Sequence, residues 1–251
     1  MKEVIFQRKN PYNGLLEQTG SMTMTTNGKH SVMKIYGDIV MEQWESWWFG
    51  GACPQDVMDF TEGLEEQDAL DIYVNSGGGV VTAGMAIYDI VRRCKGKTTA
   101  YVDGIAASIA SVIVLGADET VMHGHDQIMI HRPWSSMWGG TAQDFRNTAQ
   151  MLDSCEDAIL DIYLNHAKEG VTEQQIRDAM AAETWMTGKK AAEMFNIRLE
   201  TGGTPMNWAP GCYGAYKNAP QPVRNHMQKE KEAEKQQQQA LLQAQLDLLE
   251  L

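Results

Sequence analysis

The run Leu70-Asp-Ile-Tyr-Val74-Asn-Ser-Gly77-Gly-Gly79 limits what this chain can become more than any other. An apolar strand ends in three consecutive glycines, the mark of a strand closing in a tight turn. Apolar positions at helical spacing follow over residues 82–93, and Thr98-Thr-Ala-Tyr-Val102 reads as the next strand. Strand, glycine turn, helix and strand in that order form a βαβ unit, which demands parallel pairing and a right-handed crossover. The alternation continues. Residues 108–116 read as a buried helix, and Glu119-Thr-Val-Met122 and Gln127-Ile-Met-Ile130 as further strands. Upstream, Ser31-Val-Met-Lys-Ile-Tyr-Gly37 alternates like a strand, and residues 54–65 read as a helix with Pro54 in its first turn. The expected class is therefore α/β, with repeated βαβ units around a largely parallel core.

The rest of the chain divides by composition. Residues 1–30 are polar, rich in Thr, Asn and Gly, and read as a poorly ordered arm with one short strand near residues 3–7. Trp44, Trp47, Trp48 and Phe49 suit the packing of an entry loop or a subunit contact. Residues 31–200 form the main domain. Within it, Thr141-Ala-Gln-Asp144 has the form of a capping box and starts a long helix to about residue 168. Phe145, Ala149, Leu152, Ile159 and Ile162 give that helix an apolar stripe, and Gly170 ends it. A second capping box, Thr172-Glu-Gln-Gln175, opens a shorter helix. Residues 201–228 read as an irregular linker. Residues 229–251 place Leu242, Leu246 and Leu249 at i, i+4 and i+7, the pattern of an amphipathic tail helix that needs a partner surface.

Charge narrows the function classes. With 33 acidic against 21 basic side chains, the chain is poorly suited to nucleic acid or an anionic membrane. Cys53, Cys94, Cys155 and Cys212 are widely spaced and include no Cys-x-x-Cys pair, so neither a zinc site nor a disulfide framework is indicated. The first residues lack the apolar core of a signal peptide, and no apolar run approaches the ~18 residues of a membrane span. A reduced, cytoplasmic setting is expected, with no cofactor and no metal.

Three features carry chemistry. Ser108 lies in Asp103-Gly-Ile-Ala-Ala-Ser-Ile-Ala-Ser111, and His131 follows a strand in Met129-Ile-His131-Arg-Pro133. The third is the glycine turn 77–79. A serine hydroxyl is a poor nucleophile unless a base takes its proton, and an ordinary histidine, with a pKa of about 6.5, suits that role near neutrality. Backbone N–H groups in a glycine turn can hold the oxyanion of acyl transfer. A phosphate loop is disfavoured because no Gly-Lys-Ser/Thr follows. Together the three parts make a serine hydrolase the leading reading. Ser111 is a second serine in the same run. His123 and His125 are competing histidines, and their spacing would suit only a weak metal site.

These segments also resemble the proteolytic subunit of the Clp protease, ClpP. The correspondence runs through Asn75-Ser-Gly-Gly-Gly79, Thr82-Ala-Gly-Met-Ala-Ile-Tyr-Asp89, Gly104-Ile-Ala-Ala-Ser108-Ile and Met129-Ile-His131-Arg-Pro133. It spans residues 32–199. Pro133-Trp134, Gly139-Gly-Thr-Ala-Gln-Asp144 and Glu183-Thr-Trp-Met-Thr187 resemble the phage and prophage branch, the head-maturation proteases.

The resemblance implies a ClpP/crotonase-like fold whose long helix is a protruding handle. It implies Ser108 as nucleophile, His131 as general base and acid, and the N–H groups of Gly79 and Ile109 as oxyanion hole. The motif register puts Glu183 at the third catalytic position, with Asp178 as the alternative acid. It further implies a homo-oligomeric ring and polypeptide substrates, capsid or scaffold proteins in the phage branch, bound as an added strand near residues 133–140. Other readings stay open: a housekeeping subunit working with an ATP-driven unfoldase, a catalytically silent structural subunit, and a crotonase-type enzyme acting on acyl-CoA. Two positions depart from the family pattern. Gly77 replaces a proline, and Asn196 is the candidate for a left-handed role usually given to glycine.

Overall fold

A computed structural model describes residues 2–9, 16–43, 45, 51–202, 216–221, 223–225, 232, 235, 236 and 239. Among the described residues nine strands form one sheet: β1 (Lys2–Lys9), β2 (Leu16–Asn27), β3 (His30–Tyr36), β4 (Ala69–Ser76), β5 (Lys97–Ala107), β6 (Glu119–His123), β7 (Gln127–Ile130), β8 (Thr184–Thr187) and β9 (Ile197–Glu200). The principal helices are α1 (Pro54–Thr61), α2 (Val81–Arg92), α3 (Ile109–Leu115), α4 (Ala142–Asn165), α5 (Glu173–Ala181) and α6 (Gly188–Met194).

The central order is β1-β2-β3-β4-β5-β6-β9, with β7 paired to both β5 and β8. From β3 onward the main pairs are parallel, as the βαβ reading requires. β5 serves two partners. Thr99–Tyr101 pair with β6, and Ile105–Ala107 pair with β7. The antiparallel pair β7–β8 thus forms a ribbon branching from the far half of β5.

Both faces of that branch are covered. Ala106, Ile128 and Ile130 join the main core, together with the wholly buried helix α3. Ile105, Ala107 and Met129, on the opposite face by strand alternation, form a separate small cluster with Tyr216, Ala219 and Val223. The far end of the segment read as a linker is therefore a strap, residues 216–221 and 223, packed on the sheet.

Several expectations need correction. Leu16–Asn27 lies in the segment read as a poorly ordered arm, yet it forms β2, antiparallel to β3. Met22 and Met24 alternate inward and are buried, a period-2 signal diluted by threonines. Asn196 does not adopt a positive φ; among the described residues the non-glycines that do are Ser108 and Glu183. Instead its side-chain Nδ2 donates to the Ala167 carbonyl at 3.0 Å. The capping boxes at Thr141 and Thr172 both form. α4 buries only Ile159, Leu160 and Tyr163, so its first turns project from the body with Phe145 and Met151 exposed. Such a helix is the protruding handle of the expected fold. The aromatic cluster Trp44–Phe49 and the leucine stripe of the tail lie outside the described residues. Among the described residues, no helix is long and apolar enough to cross a membrane.

Candidate active site

The site is built at the carboxyl ends of three neighbouring strands. β4 pairs with β5 through Ser76 and Ala106, and β5 pairs with β7 through Ala107 and Met129. The glycine turn leaves β4, Ser108 leaves β5 and His131 leaves β7, so parallel pairing alone brings all three to one edge. The Ser108 N–H donates to the Met129 carbonyl at 2.9 Å, which fixes this register at its last rung.

Ser108 occupies the corner between β5 and α3 with φ 54° and ψ −129°. A side chain held in this region is strained and persists only where its surroundings enforce it. Here the bend aims the hydroxyl out of the sheet. Ser108 Oγ lies 2.7 Å from His131 Nε2, a hydrogen bond between the candidate nucleophile and the candidate base. Ser111 is excluded by its environment. It is fully buried, and its Oγ bonds the Ser108 carbonyl at 2.5 Å and the Tyr163 hydroxyl at 2.6 Å.

The glycine turn presses against Ser108. A Cβ on Gly78, at φ +99°, would meet Ser108 Cβ at 2.7 Å, and a Cβ on Gly79, at φ +148°, would strike the Ile39 carbonyl oxygen at 2.0 Å. Only glycine fits either place. The N–H groups of Gly79 and Ile109, the candidate oxyanion donors, make no turn, cap or loop hydrogen bond among the described residues. Both are thus available to a ligand oxygen.

His131 is partly buried. Loss of solvent pushes its pKa below the ordinary histidine value, and the negative charge of Glu183 opposes that shift. Glu183 is therefore near enough to act on the ring through space. Its carboxylate is engaged elsewhere, however. It accepts the backbone N–H of Asn218 at 2.6 Å, that of Lys217 at 3.0 Å and Trp185 Nε1 at 3.4 Å. Among the described residues no hydrogen bond joins Glu183 to His131. Asp178, the alternative acid, is exposed on α5 and accepts from Gln174 Nε2 at 2.8 Å.

Tyr216 completes the surroundings and was missed in the sequence. Its ring stands edge-on to His131 with centroids 5.4 Å apart, and its hydroxyl donates to the Gly77 carbonyl. No periodicity marks it, since the contact spans 139 residues of chain. Beside the pair opens a cleft of about 510 Å³, lined by Val40, Val80, Trp134, Met151, Leu152 and Cys155 among others. Its mixture of apolar wall and convergent polar groups suits an extended peptide side chain.

The competing histidines sit at the β6–β7 turn. His123 Nδ1 and His125 Nε2 approach Asp126 at 3.3 and 3.5 Å. Their rings are stacked at 11°, and with Asp126 each offers one ligand atom within 4.8 Å of the others, a group that could hold a metal ion. Asp126 Oδ2 also accepts the His123 N–H at 2.6 Å and braces the turn.

Sequence comparison agrees with this architecture. Residues 55–194, more than half of the chain, match the Clp protease family. The chain is also 30% identical over 150 residues to the ATP-dependent Clp protease proteolytic subunit of Staurastrum punctulatum, an alignment covering 59% of this chain and 74% of that relative. With the α/β fold, the handle helix and the matched segment all in agreement, the chain belongs to the Clp protease family.

Proposed function

We propose that this chain is a serine endopeptidase in which Ser108 attacks, His131 transfers protons, and Gly79 and Ile109 hold the oxyanion. The observation that carries the reading is the 2.7 Å bond between Ser108 Oγ and His131 Nε2 at a strained corner facing the glycine turn. Membership of the Clp protease family supports peptide hydrolysis as the reaction.

In the first step His131 Nε2 takes the Ser108 proton while Oγ bonds to the scissile carbonyl carbon. The carbonyl oxygen becomes an oxyanion, stabilised by the Gly79 and Ile109 N–H groups. The imidazolium then gives its proton to the leaving amine, the C–N bond breaks and an acyl-serine remains. Water, deprotonated by the same nitrogen, releases the acid and restores the hydroxyl. Glu183 stabilises the imidazolium by its charge, acting across space rather than by direct contact. Burial favours the neutral form of His131, which is the form a base requires.

The biological role in this reading is phage or prophage head maturation on capsid or scaffold proteins. The segments Pro133-Trp134, residues 139–144 and residues 183–187 support it. A closed homo-oligomeric ring is part of the same reading. The exposed Phe145 and Met151 of α4 give two rings an apolar face to share. A housekeeping subunit serving an ATP-driven unfoldase is the second reading. The name of the Staurastrum relative favours it.

The test is labelling by a serine-directed phosphonate, with the modified residue mapped, in the native chain and in Ser108→Ala. Turnover in Ser108→Ala should fall by about 10⁶. Turnover within about tenfold of the native chain refutes the assignment. Cleavage of a capsid precursor without ATP or unfoldase supports the maturation role; dependence on an unfoldase favours the second reading.

A further inference from the structure

The strap, residues 216–221 and 223, lies beyond the family-matched segment, which ends at residue 194. It nevertheless reaches each part of the site. The Tyr216 hydroxyl donates to the carbonyl of Gly77, the first of three glycines that have no side chains to hold them in place. The Tyr216 ring meets the His131 ring edge-on, and meets Trp185 with centroids 5.7 Å apart. The Lys217 and Asn218 N–H groups each bond one oxygen of Glu183, and Asn218 Nδ2 donates to the Ala182 carbonyl at 2.8 Å. Ala219 and Val223 anchor the strap by burial against Ile105, Ala107 and Met129, the residues just ahead of Ser108 and His131.

We propose that this strap is a positioning device for the Ser108–His131 pair. Tyr216 fixes the imidazole and ties down the glycine turn, while the Lys217 and Asn218 amides fix the carboxylate of Glu183. The inference rests on the reading of Ser108 as nucleophile. Its physical basis is entropy and placement. An imidazole attached after a four-residue strand can swing about its side-chain bonds, and a triple-glycine turn has wide backbone freedom. One aromatic ring packed between them removes both freedoms. The chain thereby holds a near-attack geometry before substrate arrives. Tyr216 touches no reacting atom in this scheme, so it is a positioning residue.

Tyr216→Leu and Tyr216→Phe in the full chain test the proposal. Leu keeps an apolar cover but loses the ring edge and the hydroxyl. Phe keeps the ring edge and loses only the tether to Gly77. Each is assayed for kcat and KM on one fluorogenic peptide across pH 5 to 9, for phosphonate labelling rate at Ser108, and for thermal unfolding. Besides Ser108, the ionisable groups in the cleft beside the pair, and in a second one lined by His131, Glu183 and Lys217, are Asp38, Arg132, Cys155, Glu183, Tyr216 and Lys217.

Tyr216→Leu should lower kcat by roughly 10–100-fold, the scale of a misplaced catalytic group. Its acid limb should move up towards the ordinary histidine value as water reaches the ring. Tyr216→Phe should restore the acid limb and all but a few-fold of kcat, about the worth of one hydrogen bond. A folded Tyr216→Leu with native kcat and a native acid limb overturns the proposal. If Tyr216→Leu does not fold, Tyr216→Phe decides, and a kcat equal to the native value overturns it. Failure of the phosphonate to label Ser108 in the native chain removes the nucleophile reading and this proposal together. Native labelling with an unaffected Tyr216→Leu removes this proposal alone.

Discussion

Gly78→Ala should separate placement of the nucleophile from stability of the fold. Gly78 has φ +99°, and a methyl there would lie 2.7 Å from Ser108 Cβ, 2.8 Å from the Ala107 carbonyl oxygen and 3.3 Å from Ser108 Oγ. Carbon atoms rest at about 3.5–4.0 Å, so the turn and Ser108 must part by roughly 1 Å. The Ser108 backbone is pinned by its bond to Met129, leaving the hydroxyl and the oxyanion donor at Gly79 to absorb the shift. A displacement of about 1 Å costs on the order of 10² in rate, so kcat/KM should drop by about that factor. The left-handed backbone itself adds about 1–2 kcal/mol of strain, and Tm should fall by roughly 2–8 °C. Gly63→Ala is the control. It has φ +89° and nothing within 4 Å of the added methyl. It should lose comparable stability to backbone strain and keep native kcat/KM. Peptide hydrolysis, phosphonate labelling and a thermal melt on the two variants suffice. A folded Gly78→Ala within about threefold of native kcat/KM refutes the packing argument, given the loss expected from such a shift.

Other expectations follow from the same geometry. Ser111→Ala leaves the fully buried Tyr163 hydroxyl without its partner and should cost about 1–3 kcal/mol in chemical denaturation, with Ser108 still labelled. The acid limb of kcat/KM should lie below the ordinary histidine value of about 6.5, because burial lowers the His131 pKa and activity is lost only when the ring gains a proton. The same depression makes the folded chain favour the neutral ring. His131 therefore stabilises the fold above its unfolded pKa, and this contribution is lost as pH falls through the lowered folded value, as a urea titration against pH would show. Glu183→Gln should reduce turnover by roughly 10–100-fold, less than the ~10⁴ seen when an acid bonded directly to the imidazole is neutralised, while Asp178→Asn stays within about twofold on the same peptide assay.

The βαβ unit from Leu70 to Val102 was readable because one apolar strand, one glycine turn and one helical stripe follow each other without interruption. Ser108 and His131 stood out as candidates for the related reason that each immediately follows a strand of the parallel sheet. β2 was harder. Its inward methionines alternate with threonine and serine, whose polarity hides a strand whose inner face is nevertheless buried. Tyr216 left no local sign, because its neighbours are glycine, alanine, lysine and asparagine and its partners lie far away in sequence. Glu183 was placed by motif register, but its engagement by the strap amides depends on backbone groups that sequence does not single out.

The fork in β5 has a thermodynamic consequence. The ribbon that carries His131 is tied to the main sheet over Ile105–Ala107, and one of its faces rests on a small cluster separate from the large core. Elements held by few apolar contacts open at lower free energy than the body they attach to. Ser108 and His131 can therefore be parted by a local opening that leaves the bulk of the core folded. On gentle heating, inactivation should precede the cooperative melt, and amide protons of β7 and β8 should exchange ahead of those in β4. Under the proposed function, loss of peptide hydrolysis should therefore trace a melting curve of its own.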